Sequence, residues 1–376
     1  MIFFLAGRGR GPHMGATENQ EKGQARPLNA AVVGYGFAGQ TFHAPVIAAT
    51  PGIRLSHIVS SDAAKVHRDF PDVGVLRTTE EACADPTIDL IVVATPNTTH
   101  YELAHMALGA GKHVVVDKPF TLNVADAEKL LAEAAVVKRV LSVFQSRRWD
   151  GDFQTLRKLI GEGVLGEITH FESHYDRYRP EVKKRWRETP GPGSGIWVDL
   201  GSHLVDQVLQ LFGAPEAVFA DLAAQKKGGV TVDYFHVLLR YGTRRAIVHG
   251  ESFVSADLPR FMVHGTLGSY VKFGIDSQEE ALKRGERPGG ADWGADPRPG
   301  TLYTWKNGAL ETREVPALRG DYRGFYAAVR DAIAKGAPNP VTPEDALGVM
   351  TLLETGARSS DERRELPFSL ARPAAG

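Results

Sequence analysis

Cysteine is almost absent. The chain has one, Cys83, in 376 residues, so no disulfide can form within it. That scarcity fits a reducing, cytoplasmic setting, and Cys83 itself reads as a small buried hydrophobe on a helix. Charge of one sign is missing too. With 44 Lys and Arg against 45 Asp and Glu, the chain lacks the basic footprint of a nucleic-acid or anionic-membrane partner. Long apolar runs are also lacking: residues 2–6 are too few for a bilayer span or a signal-peptide core, and no later run approaches membrane length. The 13 histidines are scattered, with no pair at ligand spacing beside a carboxylate, so no metal site is expected.

What is present is the composition of a soluble globular protein, 43% hydrophobic and 24% charged, long enough for two domains. Residues 1–27 stand apart: they are rich in Gly, Arg, Glu and Gln, show no periodicity and read as a disordered extension, with Met14 an alternative start. From 28 to 149, strand patterns (30–33, 55–60, 90–95, 113–116, 140–144, a weak one near Val75) alternate with helical ones (37–49, 63–69, 99–107, 124–136). Pro45 should bend or interrupt the first helix. This order predicts an α/β fold, a doubly wound parallel Rossmann sheet. From 150 to 376, longer alternating segments (168–178, 233–241, 245–251, 261–264) predict an α+β domain with an open, mostly antiparallel sheet. Asn307-Gly308 marks a hairpin turn, 285–300 reads as a surface loop, and late helices are expected near 322–335 and 343–358.

The first strand runs straight into Gly34-Tyr35-Gly36-Phe37-Ala38-Gly39, a G-x-G-x-x-G turn. Gly34 permits the tight turn, Gly36 lets a pyrophosphate approach the backbone, and Gly39 allows close helix–strand packing. The N–H groups of the new helix, Phe37 and Ala38 among them, then face the phosphates. After the second strand, Ser61 and Asp62 reach the ribose. A carboxylate there accepts from both hydroxyls and repels a 2′-phosphate, which favours NAD, with NADP kept open by the nearby Lys65 and Arg68. Thr95, Pro96, Asn97 and His100 are placed along the nicotinamide side. Asp117 and Lys118 end the fifth strand, where an ammonium can stabilise a developing alkoxide.

Downstream, Asp199, His203, Asp206 and Gln210 are spaced four, three and four apart as one polar helical stripe, so Asp199 stands over His203. A carboxylate beside an imidazole suits a general base. Arg147, Tyr178 and Trp186 are candidate substrate contacts.

Together these segments resemble the Gfo/Idh/MocA oxidoreductase family. The resemblance rests on the glycine turn, Thr95-Pro96-Asn97, Asp117-Lys118-Pro119 and Asp199…His203, and covers residues 28–370. Segments 141–150, 171–180, 231–236 and 263–265 are similar to its scyllo-inositol 2-dehydrogenase branch. The resemblance implies that Lys118, Asp199 and His203 are catalytic, with Asp117 standing where the family has glutamate and Gly-Pro-Gly-Ser-Gly where it has a triple glycine. It also implies a second domain that binds substrate and pairs the chain into a homodimer or homotetramer. The expected activity is oxidation of a cyclic polyol by NAD(P). The rivals are an aldose or amino-sugar dehydrogenase, a redox-assisted glycosidase, and an NAD(P)-sensing regulator.

Overall fold

Short runs of β-branched residues, closed by glycine or by a helix cap, build the first sheet. The computed structural model describes residues 26–183 and 188–370, so the N-terminal extension up to residue 25 and Trp186 lie outside the described residues. Strands β1 (Leu28–Val33), β2 (Ile53–Val59), β3 (Gly74–Leu76), β4 (Leu90–Val93), β5 (His113–Val116) and β6 (Leu141–Val143) lie parallel in the order β3-β2-β1-β4-β5-β6. The order reverses between β1 and β4. That switch point opens a crevice at the strands' carboxyl ends. Strands β4 and β5 are buried along nearly their whole length, hence their unbroken apolar sequence.

The crossovers are α1 (Ala44–Ala48), α2 (Ala63–Asp69), α3 (Thr79–Ala84), α4 (His100–Gly109) and α5 (Val124–Val136). Three begin on a side-chain cap: Asp62 for α2, a Thr78–Glu81 capping box for α3, and Asn123 for α5. The helix expected over 37–49 is in fact a π-helical turn, Gly39–His43, followed by α1. Pro45, second in the α segment and lacking an N–H, sits just after the π turn, which is where the helix departs from regular α geometry.

The chain then adds α6 (Gly151–Gly161), α7 (Ser202–Phe212), α8 (Gln278–Lys283), α9 (Arg323–Lys335) and α10 (Pro343–Glu362) around a second sheet. Its strands are β7 (Ile168–His174), β8 (Ala217–Ala223), β9 (Tyr234–Tyr241), β10 (Arg244–Glu251), β11 (Pro259–Gly265), β12 (Gly268–Phe273), β13 (Gly300–Lys306), β14 (Ala309–Val315) and β15 (Leu366–Pro367). The order is β14-β13-β12-β11-β7-β10-β9-β8-β15, antiparallel except for the parallel neighbours β7 and β10. Along β7, β9 and β10, alternate residues such as Phe171, Val237 and Val248 are buried, whereas His170, His236 and His249 occupy the other, half-buried face. Asn307 (φ 51°) and Gly308 (φ 79°) make the expected two-residue hairpin turn. The run 285–300 is less superficial than expected, since Trp293 within it is buried and donates to Gln278 Oε1 at 3.2 Å.

Helix α10 packs on β8, α7 and α5, and so ties the second sheet to the first. Trp197 Nε1 donates to Leu353 O at 3.0 Å, and Val124 N to Glu354 Oε1 at 2.7 Å. Among the described residues, no helix is long and apolar enough to cross a membrane.

Candidate active site

The glycine turn has the geometry its sequence implies. Gly34 sits at φ 95°, and a Cβ there would lie 2.9 Å from Ala94 O; a Cβ on Gly39 would fall 2.0 Å from Gly34 O. Around Gly36 a Cβ would meet nothing within 4 Å. Two glycines are therefore required by packing. The third faces open space at the helix start, which suits a pyrophosphate.

Beside this turn lies a cleft of about 180 Å³ lined by Phe37, Ala38, Asp117, Lys118, Arg147, Asp199 and His203, among others. It joins residues from both sheets. Lys118 leaves the carboxyl end of β5 and donates from Nζ to Asp199 Oδ1 and to Asp199 O, each at 2.6 Å. Asp199 belongs to a π-helical turn, Trp197–Gly201, that precedes α7. The π turn interrupts the uniform helical spacing on which the expected stacking of Asp199 over His203 depends. The carboxylate meets Lys118, while His203 Nδ1 is buried with no hydrogen-bond partner among the described residues. Burial first, then the charges of Lys118, Arg147, Arg260 and Arg177, push the His203 imidazole well below its ordinary pKa. It is therefore neutral, with a lone pair available for a proton.

A second layer holds Lys118 in place. Asp117 Oδ1 accepts from the Lys118 backbone N–H at 2.8 Å and lies 3.6 Å from His43 Nε2, and His43 Nδ1 is 2.6 Å from Tyr326 Oη. Burial works to raise the Asp117 pKa, but His43, Lys118 and His100 together hold it below the usual carboxylate range. Asp117 is thus an anion fixed beneath Lys118.

Arg147 is buried, pairs with Asp150 (3.2 Å) and Glu279, and stacks over Tyr175 at 5.0 Å. Despite its burial, Glu279 is driven down to about 2 by Arg147 and Lys283. Sequence reading missed several cleft residues: Arg177, Arg179, Lys226, Glu251, Glu279, Lys283 and Tyr322. The signal for two of them was present. Tyr178 is 61% exposed and absent from the lining, and in extended chain its neighbours Arg177 and Arg179 face the opposite way.

Other candidates hold the frame together. His100 is buried, with Nδ1 2.8 Å from Pro119 O and Nε2 3.1 Å from Thr95 O, so it ties two crevice loops. Thr95 Oγ1 pairs with Thr99 Oγ1 at 2.7 Å; Pro96 precedes the short turn Asn97–Thr99. Asn97 Nδ2 donates to Gly193 O at 3.2 Å. Gly193 (φ 74°) admits that approach, since a Cβ there would lie 2.1 Å from Asn97 Nδ2. Ser61 and Asp62 stand at the end of β2, where Asp62 Oδ1 accepts from Lys65 N at 2.9 Å. The rest of the α7 stripe is structural: Asp206 takes both Nε and Nη2 of Arg148 (2.9 and 2.6 Å), and Gln210 donates to Asp345 at 3.0 Å.

Residues 28–145 match the family profile described as "Oxidoreductase family, NAD-binding Rossmann fold", and residues 157–369 match "Oxidoreductase family, C-terminal alpha/beta domain". With this fold and this cleft, the chain belongs to the Gfo/Idh/MocA family of NAD(P)-binding oxidoreductases. It is 50% identical to the uncharacterized oxidoreductase YdgJ of Escherichia coli over 339 residues, covering 90% of this chain and 98% of that protein. It is 42% identical over 341 residues to the scyllo-inositol 2-dehydrogenase (NADP(+)) IolW of Bacillus subtilis, covering 90% of this chain and 95% of that one. The solved structure of the YPO2259 putative oxidoreductase from Yersinia pestis matches with a TM-score of 0.89 at 48% identity, over 93% of this chain and 99% of that one.

Proposed function

We propose that the protein is an NADP-linked dehydrogenase of a cyclic polyol, oxidising scyllo-inositol to its 2-keto form. The observation that carries this reading is the meeting of Lys118 with Asp199 in a cleft shared by His203 and by Phe37 and Ala38 of the glycine turn. Similarity to IolW supports the substrate. His203, neutral and buried, takes the hydroxyl proton as general base. Lys118 donates to the same oxygen as it turns from alkoxide to carbonyl, and Asp199 keeps the ammonium aimed. Bound along Gly34, Gly36, Ala38 and Gly39, the dinucleotide supplies the acceptor for the hydride that leaves the carbinol carbon. Arg147, Glu251 and Arg177 border the remaining ring hydroxyls.

The nucleotide preference rests on the turn after β2. Asp62, which in sequence favours NAD, spends Oδ1 on the α2 cap. Lys65 Nζ donates to Tyr35 O at 2.8 Å within the glycine turn, and Arg77 Nη1 donates to Ser61 O at 3.1 Å. Two cations thus border the region of the ribose 2′-position, a setting that favours a 2′-phosphate. In a Lys65→Ala/Arg77→Ala protein, KM for NADP should rise about 10- to 100-fold, as expected for lost charge-assisted bonds, with KM for NAD little changed.

The direct test is steady-state reduction of NADP and NAD with scyllo-inositol, myo-inositol, aldoses and a hexuronate. NADP with scyllo-inositol should give the highest kcat/KM. Unaltered turnover in His203→Asn or Lys118→Met overturns the mechanism. The half-buried face of the second sheet would seat a further copy of the chain, giving a homodimer or homotetramer that light scattering can measure.

A further inference from the structure

The half-buried face of the second sheet holds a cluster whose members do not line the cleft. Strands β7 and β10 run parallel with His174 paired to His249. Two residues beyond His174, the carboxylate of Asp176 stands between the two rings. Its Oδ2 lies 3.1 Å from His174 Nδ1 and its Oδ1 3.4 Å from His249 Nε2. One donor atom from each of the three residues falls within 4.8 Å of the other two. A zinc ion about 2.0–2.1 Å from each ligand in a tetrahedron sets neighbouring donors about 3.3 Å apart. The two measured contacts, 3.1 and 3.4 Å, use different oxygens of Asp176, so a small turn of the carboxylate brings a single oxygen to both imidazoles.

The surroundings resemble a built site. Glu172 Oε2 is 3.0 Å from His174 Nε2, the ring nitrogen facing away from Asp176, an arrangement that fixes the tautomer of a ligating histidine. Asp176 is only 6% exposed, and its Oδ1 is buried with no hydrogen-bond partner among the described residues. A buried carboxylate oxygen without a partner is costly, and hydrogen bonding within the cluster leaves it so. A cation between the rings removes that cost. Two imidazoles with one carboxylate select zinc over magnesium or calcium.

We propose that His174, Asp176 and His249 form a zinc-binding site that clamps β7 to β10. Glu172 orients His174, and the fourth position is filled by water. Histidine spacing in the sequence cannot reveal this site, because strand register brings His249 to its partners. None of the three ligands lines the dehydrogenase cleft, and the test reads metal binding directly, so it does not depend on identifying the substrate.

The full-length protein, stripped with a chelator and dialysed, is titrated with Zn²⁺ by calorimetry. In parallel, Co²⁺ is added and followed by visible absorption. Expected are one zinc per chain, a higher Tm on binding, and the intense visible bands of tetrahedral Co²⁺. His174→Ala or His249→Ala should weaken binding by more than about 100-fold, whereas His264→Ala on β11 should leave it intact. If either alanine protein fails to fold by circular dichroism, His249→Gln takes its place. Absence of stoichiometric binding at micromolar zinc, or equal binding by the His249 variant, overturns the proposal.

Discussion

Lys118 is aimed before any substrate arrives. Its ammonium is held by two oxygens of Asp199, and its backbone N–H by Asp117. If Lys118 acts as proposed on charge that develops during reaction, Lys118→Met should lower kcat by about 100- to 1000-fold while nucleotide affinity, measured by fluorescence titration, changes little. His203 makes a different prediction. Its ordinary pKa is 6.5, and burial with the neighbouring cations lowers it in the folded protein. The folded state therefore binds fewer protons here than the unfolded chain at acid pH. The stability linked to His203 is full above pH 6.5 and is lost as pH falls below it. The same depression keeps His203 unprotonated in mild acid, so with His203 as the proposed base the acid limb of kcat/KM should lie below pH 6.5. A limb at or above that value would show that another group is the base.

Helix α7 supports the site through a buried ion pair. Arg148 meets Asp206 through two hydrogen bonds and reaches Asp345 at 3.0 Å, in the capping box that starts α10. Removing one partner strands a buried charge. Asp206→Ala should therefore cost about 3–5 kcal/mol in urea unfolding, while the surface pair Lys158–Glu162 should contribute under about 1 kcal/mol. Elements of this kind differ in how far the sequence discloses them. Helices α2 and α5 and strand β5 fall on the residues that periodicity marks, because caps and turns bound them locally. Helix α3 escapes periodicity, since six residues carry a capping box but no long apolar face. The partner of Asp199 was not legible either. Gly201 packs under Trp197, where a Cβ would lie 2.4 Å from the ring, and that packing accompanies the π-helical turn that interrupts the uniform spacing. Helical spacing contains no trace of such a turn. Tyr178 shows the converse: aromatic character drew attention to it, yet strand alternation turns Arg177 and Arg179 toward the cleft.

At the scale of the molecule, the two sheets share one core through α10, α5 and the cleft. Dinucleotide binding to the first sheet should therefore raise the unfolding temperature of the whole chain. At 100 times Kd the gain is about 2.7 kcal/mol, or several degrees. Calorimetry should show one transition moving as a unit; two transitions of which only one moves would contradict the shared core. The Lys118–Asp199 contact, bridging 81 positions of sequence, has an evolutionary consequence. On the proposed mechanism neither half of the chain is a reactive unit alone, so new specificities would not arise by freely exchanging second halves. A chimera inherits its nucleotide from one parent and its pocket from the other. It works only if the incoming segment presents an oxygen where Asp199 now waits. That constraint confines viable crossovers to parents that already share this bridge, and it makes the ion pair a compatibility key for recombination.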